Sequence, residues 1–325
     1  MSSTTLAIAV ADEALEARLR GRLASIEAAL AKDVHSRAQF VAEAASHLMS
    51  AGGKRFRPLL VLLAAECGPH TDSVDVEVAA RAVELVHLAS LYHDDVMDEA
   101  LVRRSADSAN ARYDNRVAIL TGDWLFARSS ELTAQLGPEA VRIQAETFGR
   151  LVEGQMLEGV APTGDPVEHH LEVVAGKTGA LLATSARYGA MFSGASEEIV
   201  LALTEYGERI GTAFQLSDDI LDIASDESGK MPGTDLREGV PTLPTLLAKA
   251  NGETAVLEAL AGDLAQDGPL SVAVAALRDS KSLRQAREYV IGEAERAKAI
   301  LSALPEGSVQ TALVAFADAV ATRTR

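Results

Sequence analysis

The chain is short of cysteine, aromatic residues, basic charge and long apolar runs, and each shortage closes off a class of protein. A single cysteine, Cys67, cannot form an internal disulfide and fits a reducing cytoplasm. It sits in the apolar run LLVLLAAEC and reads as a core residue. Aromatics make up 4% of the residues while Ala, Leu and Val abound, which favours packed helices over sheets. No stretch reaches the roughly 18 apolar residues of a membrane span. MSSTTLAIAV at the start has no basic region and too short an apolar run for a signal peptide. These absences predict a soluble, cytoplasmic protein. Lys and Arg number 30 against 47 Asp and Glu, a formal charge of -17. That balance argues against nucleic acid as a partner, since phosphate binding needs a basic face, and against strong attraction to anionic lipid.

Proline is unevenly spread: none falls between Pro69 and Pro138, nor between Pro166 and Pro232. Such gaps suit long uninterrupted helices. Val78, Ala82, Leu85, Val86 and Ala89 form a helical stripe within 74–97, with Asp72 or Ser73 able to cap its start. A second helix is predicted over 196–223, opened by Ser196 and two Glu. Gly52-Gly53 ends one helical stretch, Pro58 lies in the first turn of the next, and Asp165-Pro166 opens another. Segment 225–245, rich in Gly, Pro, Asp and Lys, reads as a loop, and the Ala/Leu-rich chain beyond Pro244 as more helix. No strand alternation, tandem repeat or low-complexity linker is evident. A single all-α domain over residues 1–325 is the simplest fit.

Both proline-free stretches run into the same pattern, Asp-Asp-x-x-Asp. The first is Asp94, Asp95 and Asp98 in LYHDDVMDEA; the second is Asp218, Asp219 and Asp222 in QLSDDILDIASD. In each, the first and last Asp are four apart and share a helix face. Three carboxylates on one turn repel each other and sit near a helix C-terminus, where the macrodipole is already negative. Taken singly, each motif also fits a solvated acidic helix end. By chance one copy turns up in roughly one such chain in ten, and two in about one in several hundred. The pair points to a hard divalent ion such as Mg²⁺, which takes oxygen ligands and keeps sites for water and substrate phosphates. Two such clusters facing each other would clamp a polyphosphate.

A diphosphate also needs cations. Gly52-Gly53-Lys54-Arg55-Phe56-Arg57-Pro58 packs three of them beside glycines whose N–H groups could approach phosphate oxygens. Taken alone, the run also reads as a solvated turn. Arg103 and Arg104 follow the first motif and could equally balance its charge. Lys177-Thr178 in AGKTG and Lys230 after the second motif could reach leaving-group oxygens or lie at the surface. His87, two turns before Asp94, and Gln215, three before Asp218, are equally open between site and core.

Taken together and in order, GGKRFRP, LYHDDVMDEA with RR behind it, LTGDW, VEGQ, GKTG, FQLSDDILD and GKMPGTDLREGVPTLP resemble the trans-isoprenyl diphosphate synthases of the polyprenyl synthetase family, from about Gly52 to Leu246. The resemblance implies long, mostly antiparallel helices around a central cavity, an obligate Mg²⁺ requirement (about three ions per active site with substrate bound) and a homodimer. It implies that Asp94, Asp95, Asp98, Asp218, Asp219 and Asp222 hold metal. Arg103, Lys177, Thr178, Gln215 and Lys230 match residues that hold an allylic diphosphate, with Lys177 and Lys230 assisting its departure. Lys54, Arg57, His87 and Arg104 match those that hold isopentenyl diphosphate. Ser105 stands where relatives commonly have Gly, and Val240 where many have Lys, which removes one cation near the phosphates.

The implied reaction is head-to-tail condensation of isopentenyl diphosphate with an allylic diphosphate. A tail growing from Asp94 would pass Ala89 and Ser90, then Val86. None is aromatic, whereas by resemblance short-chain enzymes place Phe or Tyr there. A heptaprenyl to decaprenyl product, of the kind used for quinone side chains, is therefore expected. Tyr92 lies about 200° around the helix from Asp94 and is not expected to be the plug. The alternatives are a short-chain farnesyl or geranylgeranyl synthase, a terpene cyclase, a magnesium-dependent phosphohydrolase and a non-catalytic partner subunit. A cyclase needs no second diphosphate site, and a partner subunit tends to lose the aspartates.

Overall fold

The computed structural model describes residue 6 and residues 8–104, 106–224 and 232–323. It is 78% helical, so the all-α expectation holds. The first helices are α1 (Glu13–Asp33), α2 (Gln39–Ser50), α3 (Phe56–Ala65), α4 (Val74–Met97), α5 (Ala109–Tyr113), α6 (Asn115–Gln135), α7 (Pro138–Glu158) and α8 (Pro166–Val174). A π turn, Ala175–Gly179, leads into α9 (Ala180–Phe192) and α10 (Glu197–Ala224). After these come α11 (Thr234–Glu238), α12 (Leu243–Asn251), α13 (Thr254–Leu260), α14 (Asp267–Arg278), α15 (Lys281–Ile300) and α16 (Ser308–Thr322). Two departures from expectation stand out. The supposed loop 225–245 contains α11 and the start of α12, while its residues 225–231 lie outside the described residues. A two-residue hairpin also follows α4: β1 (Val102–Arg103) pairs antiparallel with β2 (Ala106–Asp107), Arg103 opposite Ala106.

The expected caps are in place. Ser73 Oγ accepts from Asp75 N at 3.2 Å to open α4, Asp165 accepts from Val167 N at 2.7 Å to open α8, and Ser196 Oγ accepts from Ile199 N at 3.4 Å before α10. Among the described residues no helix is long and apolar enough to cross a membrane.

The described residues group into two compact units. The first takes in Met1–Phe148, Leu181–Thr204 and Ala303–Leu313. Its centre is α4, packed against α1, α3 and α6. Every residue of α3 from Pro58 to Ala65 is buried, as a helix apolar all round must be. Gly189 on α9 approaches the Val61 carbonyl so closely that a Cβ has no room. The buried Glu84 on α4 is compensated by Arg55 at 2.9 Å, and Arg55 also meets Glu27 at 2.8 Å. The second unit takes in Gly149–Ala180, Glu205–Ser302 and Val314–Arg325, with α12 packed on α15 and α8, and α13 on α14.

Candidate active site

In the first unit, Asp94 and Asp95 lie in the last turn of α4 and Asp98 is its C-cap residue, its N–H donating to the Asp94 carbonyl at 2.8 Å. The three carboxylates have different surroundings. Asp95 is fully buried and accepts from Arg103 Nε at 2.6 Å and from Ala109 N at 3.2 Å. Asp94 is half-buried, and Asp98 is exposed, with Arg103 Nη2 at 3.9 Å from its Oδ2. The hairpin explains this arrangement, because it folds Arg103 back under the helix end that its charge complements. Ser105, in the same hairpin, lies outside the described residues.

The residues predicted to hold isopentenyl diphosphate lie in the same unit. Gly52 (φ 94°) and Gly53 (φ 156°) turn the chain, and a Cβ on Gly53 would lie 3.0 Å from both Arg104 Nη1 and Arg55 Nη1, so glycine admits both guanidiniums. Arg104 donates to the Leu48 carbonyl at 3.2 Å and to that of Gly52, and its Nη2 is 3.5 Å from His87 Nε2. Burial holds the His87 imidazole well below its ordinary pKa, with Arg57, Arg104, Arg55 and Arg103 pushing in the same direction. His87 is therefore a neutral ring among four guanidiniums. Lys54 stays exposed on the same turn, 5.9 Å from the Phe56 ring centroid. Arg55, the middle cation of the GGKRFRP run, is spent on Glu27 and Glu84.

The second cluster lies in the second unit, in the last two turns of α10. Asp218 is met by Arg323 at 2.8 Å. Asp219 is buried and accepts from Leu243 N at 3.2 Å, with His170 Nε2 at 2.9 Å. Asp222 accepts from Thr234 N at 3.0 Å and Asp235 N at 3.1 Å, so it serves as the cap of α11. Thr178 Oγ1 donates to Gln215 Oε1 at 2.9 Å, and Lys177 Nζ is 2.8 Å from Glu158 Oε2. These two come from the π turn, a feature common at functional sites. Gly154 and Gly176 let that turn lie against α7: a Cβ on Gly154 would be 2.6 Å from Lys177 N. Lys230 lies outside the described residues.

Three residues here were missed by sequence reasoning. His170 and Arg323 lie 49 and 105 residues from their aspartates, beyond any local pattern. Asp235 sat in plain view in GKMPGTDLREGVPTLP; burial pushes its carboxyl up to about 8, with Asp222 and Asp219 adding to the shift.

Of the residues expected to set chain length, Ala89 is fully buried, Val86 is 3% exposed, and Ser90 is half-buried with its hydroxyl donating to the His87 carbonyl at 2.9 Å. Val86 lines a cavity of about 250 Å³ together with Phe126, Ser130, Thr133, Val141, Gln144, Ala145 and Phe148. Tyr92 points elsewhere: its hydroxyl donates to the Ala44 carbonyl at 2.5 Å, fastening α4 to α2.

Among the described residues no three His, Cys, Asp or Glu side chains converge into a protein-only metal cage. Mg²⁺ asks for less, namely one or two hard carboxylates completed by water and substrate phosphates. Asp94 and Asp98 on one helix face, and Asp218 on another helix, are donors of that kind. The residues fit the ion.

The comparisons agree with this chemistry. Residues 38–277 match the polyprenyl synthetase family model. The chain is 46% identical over 319 residues to the nonaprenyl diphosphate synthase of Mycobacterium tuberculosis, covering 96% of this chain and 95% of that protein. Its fold matches a geranylgeranyl pyrophosphate synthase of Corynebacterium glutamicum, solved with calcium and isoprenyl diphosphate (TM-score 0.87, 42% identity, 98% of this chain and 99% of that one). It also matches a decaprenyl diphosphate synthase of Rhodobacter capsulatus (TM-score 0.86, 35% identity, 96% and 99%). With paired aspartate helices, a basin of arginines around a neutral histidine, and a family match running through both units, the chain belongs to the polyprenyl synthetase family of prenyltransferases.

Proposed function

We propose that this enzyme condenses isopentenyl diphosphate head-to-tail with an allylic diphosphate, giving an all-trans polyprenyl diphosphate of heptaprenyl to decaprenyl length for a quinone side chain. The observation that carries the reading is the gathering of Arg57, Arg103 and Arg104 around His87. A cyclase or phosphohydrolase handles one diphosphate, whereas this basin, beside the first aspartate cluster, gives a second diphosphate its own cations.

In this reading Asp94, Asp98 and Asp218 ligate Mg²⁺, and Asp95, Asp219 and Asp222 hold the ligand-bearing turns in place. The support is the engagement of Asp95 by Arg103 and Ala109, of Asp219 by His170 and Leu243, and of Asp222 by the start of α11. Bound metal supplies charge neutralisation for the departing diphosphate. Lys177, Thr178, Gln215 and Lys230 orient that group, and Arg103 adds charge. Lys54, Arg57, His87 and Arg104 hold isopentenyl diphosphate, its double bond aimed at the allylic C1. The C1–O bond breaks, the double bond adds at C1, and the proton lost from the new cation goes to the released diphosphate. Neutral His87 donates or accepts one hydrogen bond without adding to the crowd of charge.

The cavity beside Val86 seats the tail and keeps water from the cation. Scaled from a ~150 Å³ cavity that takes benzene, it has room for about ten carbons, or about two isoprene units, so it holds one part of a longer tail. The reading includes one catalytic domain over 1–325, supported by a family match that spans both units, and a cytoplasmic homodimer. The likeness to a geranylgeranyl synthase at 42% identity favours a second reading, a short-chain product.

The test is incubation with farnesyl diphosphate, labelled isopentenyl diphosphate and Mg²⁺, with products sized after phosphatase treatment. A ladder ending at heptaprenyl or beyond is the expected outcome. A stop at geranylgeranyl keeps the reaction and removes the chain-length assignment; no incorporation by folded protein overturns both.

A further inference from the structure

The residue that meets Asp218 comes from the far end of the chain. Arg323, just after α16, reaches Asp218 Oδ1 with Nη2 at 2.8 Å, and its guanidinium carbon lies 4.3 Å from the centroid of Phe214, one turn earlier on α10. The approach is pinned next door, where Ser217 Oγ donates to the Val320 carbonyl at 3.2 Å. On the other side Lys298 of α15 meets Asp318 at 2.5 Å. Phe316, Ala317 and Val320 are buried, so the helix carrying Arg323 is seated on apolar contacts. One atom of this arrangement is unsatisfied: Arg323 Nη1 is buried and has no hydrogen-bond partner among the described residues. An unfilled donor on a held guanidinium beside a carboxylate matches an oxygen of a metal-bound diphosphate.

We propose that Arg323 is a positioning residue for the second metal cluster: Nη2 fixes one oxygen of Asp218 so that the other faces the metal, and Nη1 donates to an oxygen of the diphosphate held there. This rests on the reading of Asp218 as a ligand. The guanidinium does not cancel the site's pull on a divalent ion, because Asp219 and Asp222 remain in the same two turns of α10. Stacking on Phe214 fixes the plane of the fork, which a lysine cannot reproduce.

The test is a titration of Mn²⁺ into the protein with inorganic pyrophosphate present, bound ion being read from the loss of the free Mn²⁺ EPR signal. Thermal unfolding is followed in parallel in EDTA. Arg323→Ala is expected to weaken Mn²⁺ binding about tenfold, the usual effect of losing a partner that orients a ligand, with the metal-free midpoint unchanged; Arg323→Lys falls between it and the wild type. Were Arg323 only an anchor for α16, Arg323→Ala would lower the metal-free midpoint and leave the titration where it was, which overturns the proposal. Tighter binding in Arg323→Ala overturns it too, since the arginine would then compete with the metal. Asp218→Asn keeps the two questions apart. If it weakens Mn²⁺ binding while Arg323→Ala does not, only the role of Arg323 falls; if it has no effect, the reading of Asp218 falls as well.

Discussion

Two aspartates in one motif face opposite fates on substitution. Asp95→Ala strips a buried carboxylate from Arg103 and the Ala109 N–H, and should cost about 1.5–3 kcal/mol of stability in denaturant unfolding. Asp98→Asn, at an exposed C-cap, should leave stability within about 0.5 kcal/mol yet remove most turnover. Equal loss of stability in both variants would contradict the division into ligands and supports. His87 gives a pH test. Its folded pKa is depressed by burial and the surrounding arginines, so below the ordinary value of 6.5 the unfolded chain binds a proton that the folded one refuses. Stability is therefore fully present above that pH and falls as pH drops, by at most about 1.4 kcal/mol per unit. Between about pH 7.5 and 5.5 the urea midpoint of the wild type should fall further than that of His87→Gln; identical shifts would place the acid sensitivity elsewhere. Neither distinction could be read from the sequence. The letters DDVMD say which carboxylates share a face, but burial of the middle one depends on a hairpin too short to show alternation.

Among the elements, α4 leads into the first proposed metal cluster and carries the residues expected to gate product length. The structure separates two positions that looked equivalent. Ala89 is fully buried, so Ala89→Phe overpacks the helix and should cost about 1–3 kcal/mol in its own right. Ser90 is half-buried, and Ser90→Phe is the cleaner plug. It should cut the product to about four isoprene units while leaving the unfolding midpoint near that of the wild type, because a ring fills the volume the next unit needs. An unchanged ladder would route the tail away from this face. Element boundaries were legible where the signal was local: Ser73, Asp165 and Ser196 cap the helices they were expected to cap. They were illegible where the cap comes from elsewhere in the chain. Helix α11 is opened by the carboxylate of Asp222, twelve residues upstream of Thr234, and its flanking glycines read as loop.

At the scale of the molecule, α7 shows solvent an apolar stripe. Val141, Phe148, Val152 and Met156 share a face, all exposed, in a chain whose formal charge of -17 otherwise favours solubility. The proposed homodimer would cover the stripe. Met156→Glu, outside the cavity lining, should turn a sedimentation velocity profile from dimer to monomer; a dimer that persists would move the interface to another face. The basin around His87 has a consequence for anyone trying to make this protein sturdier. Like charges gathered in a half-buried corner oppose folding, and an arriving anion relieves what Glu84 and Asp95 leave uncompensated. Screens for heat-resistant variants will keep returning to residues 57 and 104, where neutral side chains relax that strain without unpairing Asp95, and the winners will be hardier proteins that grip their second substrate less well.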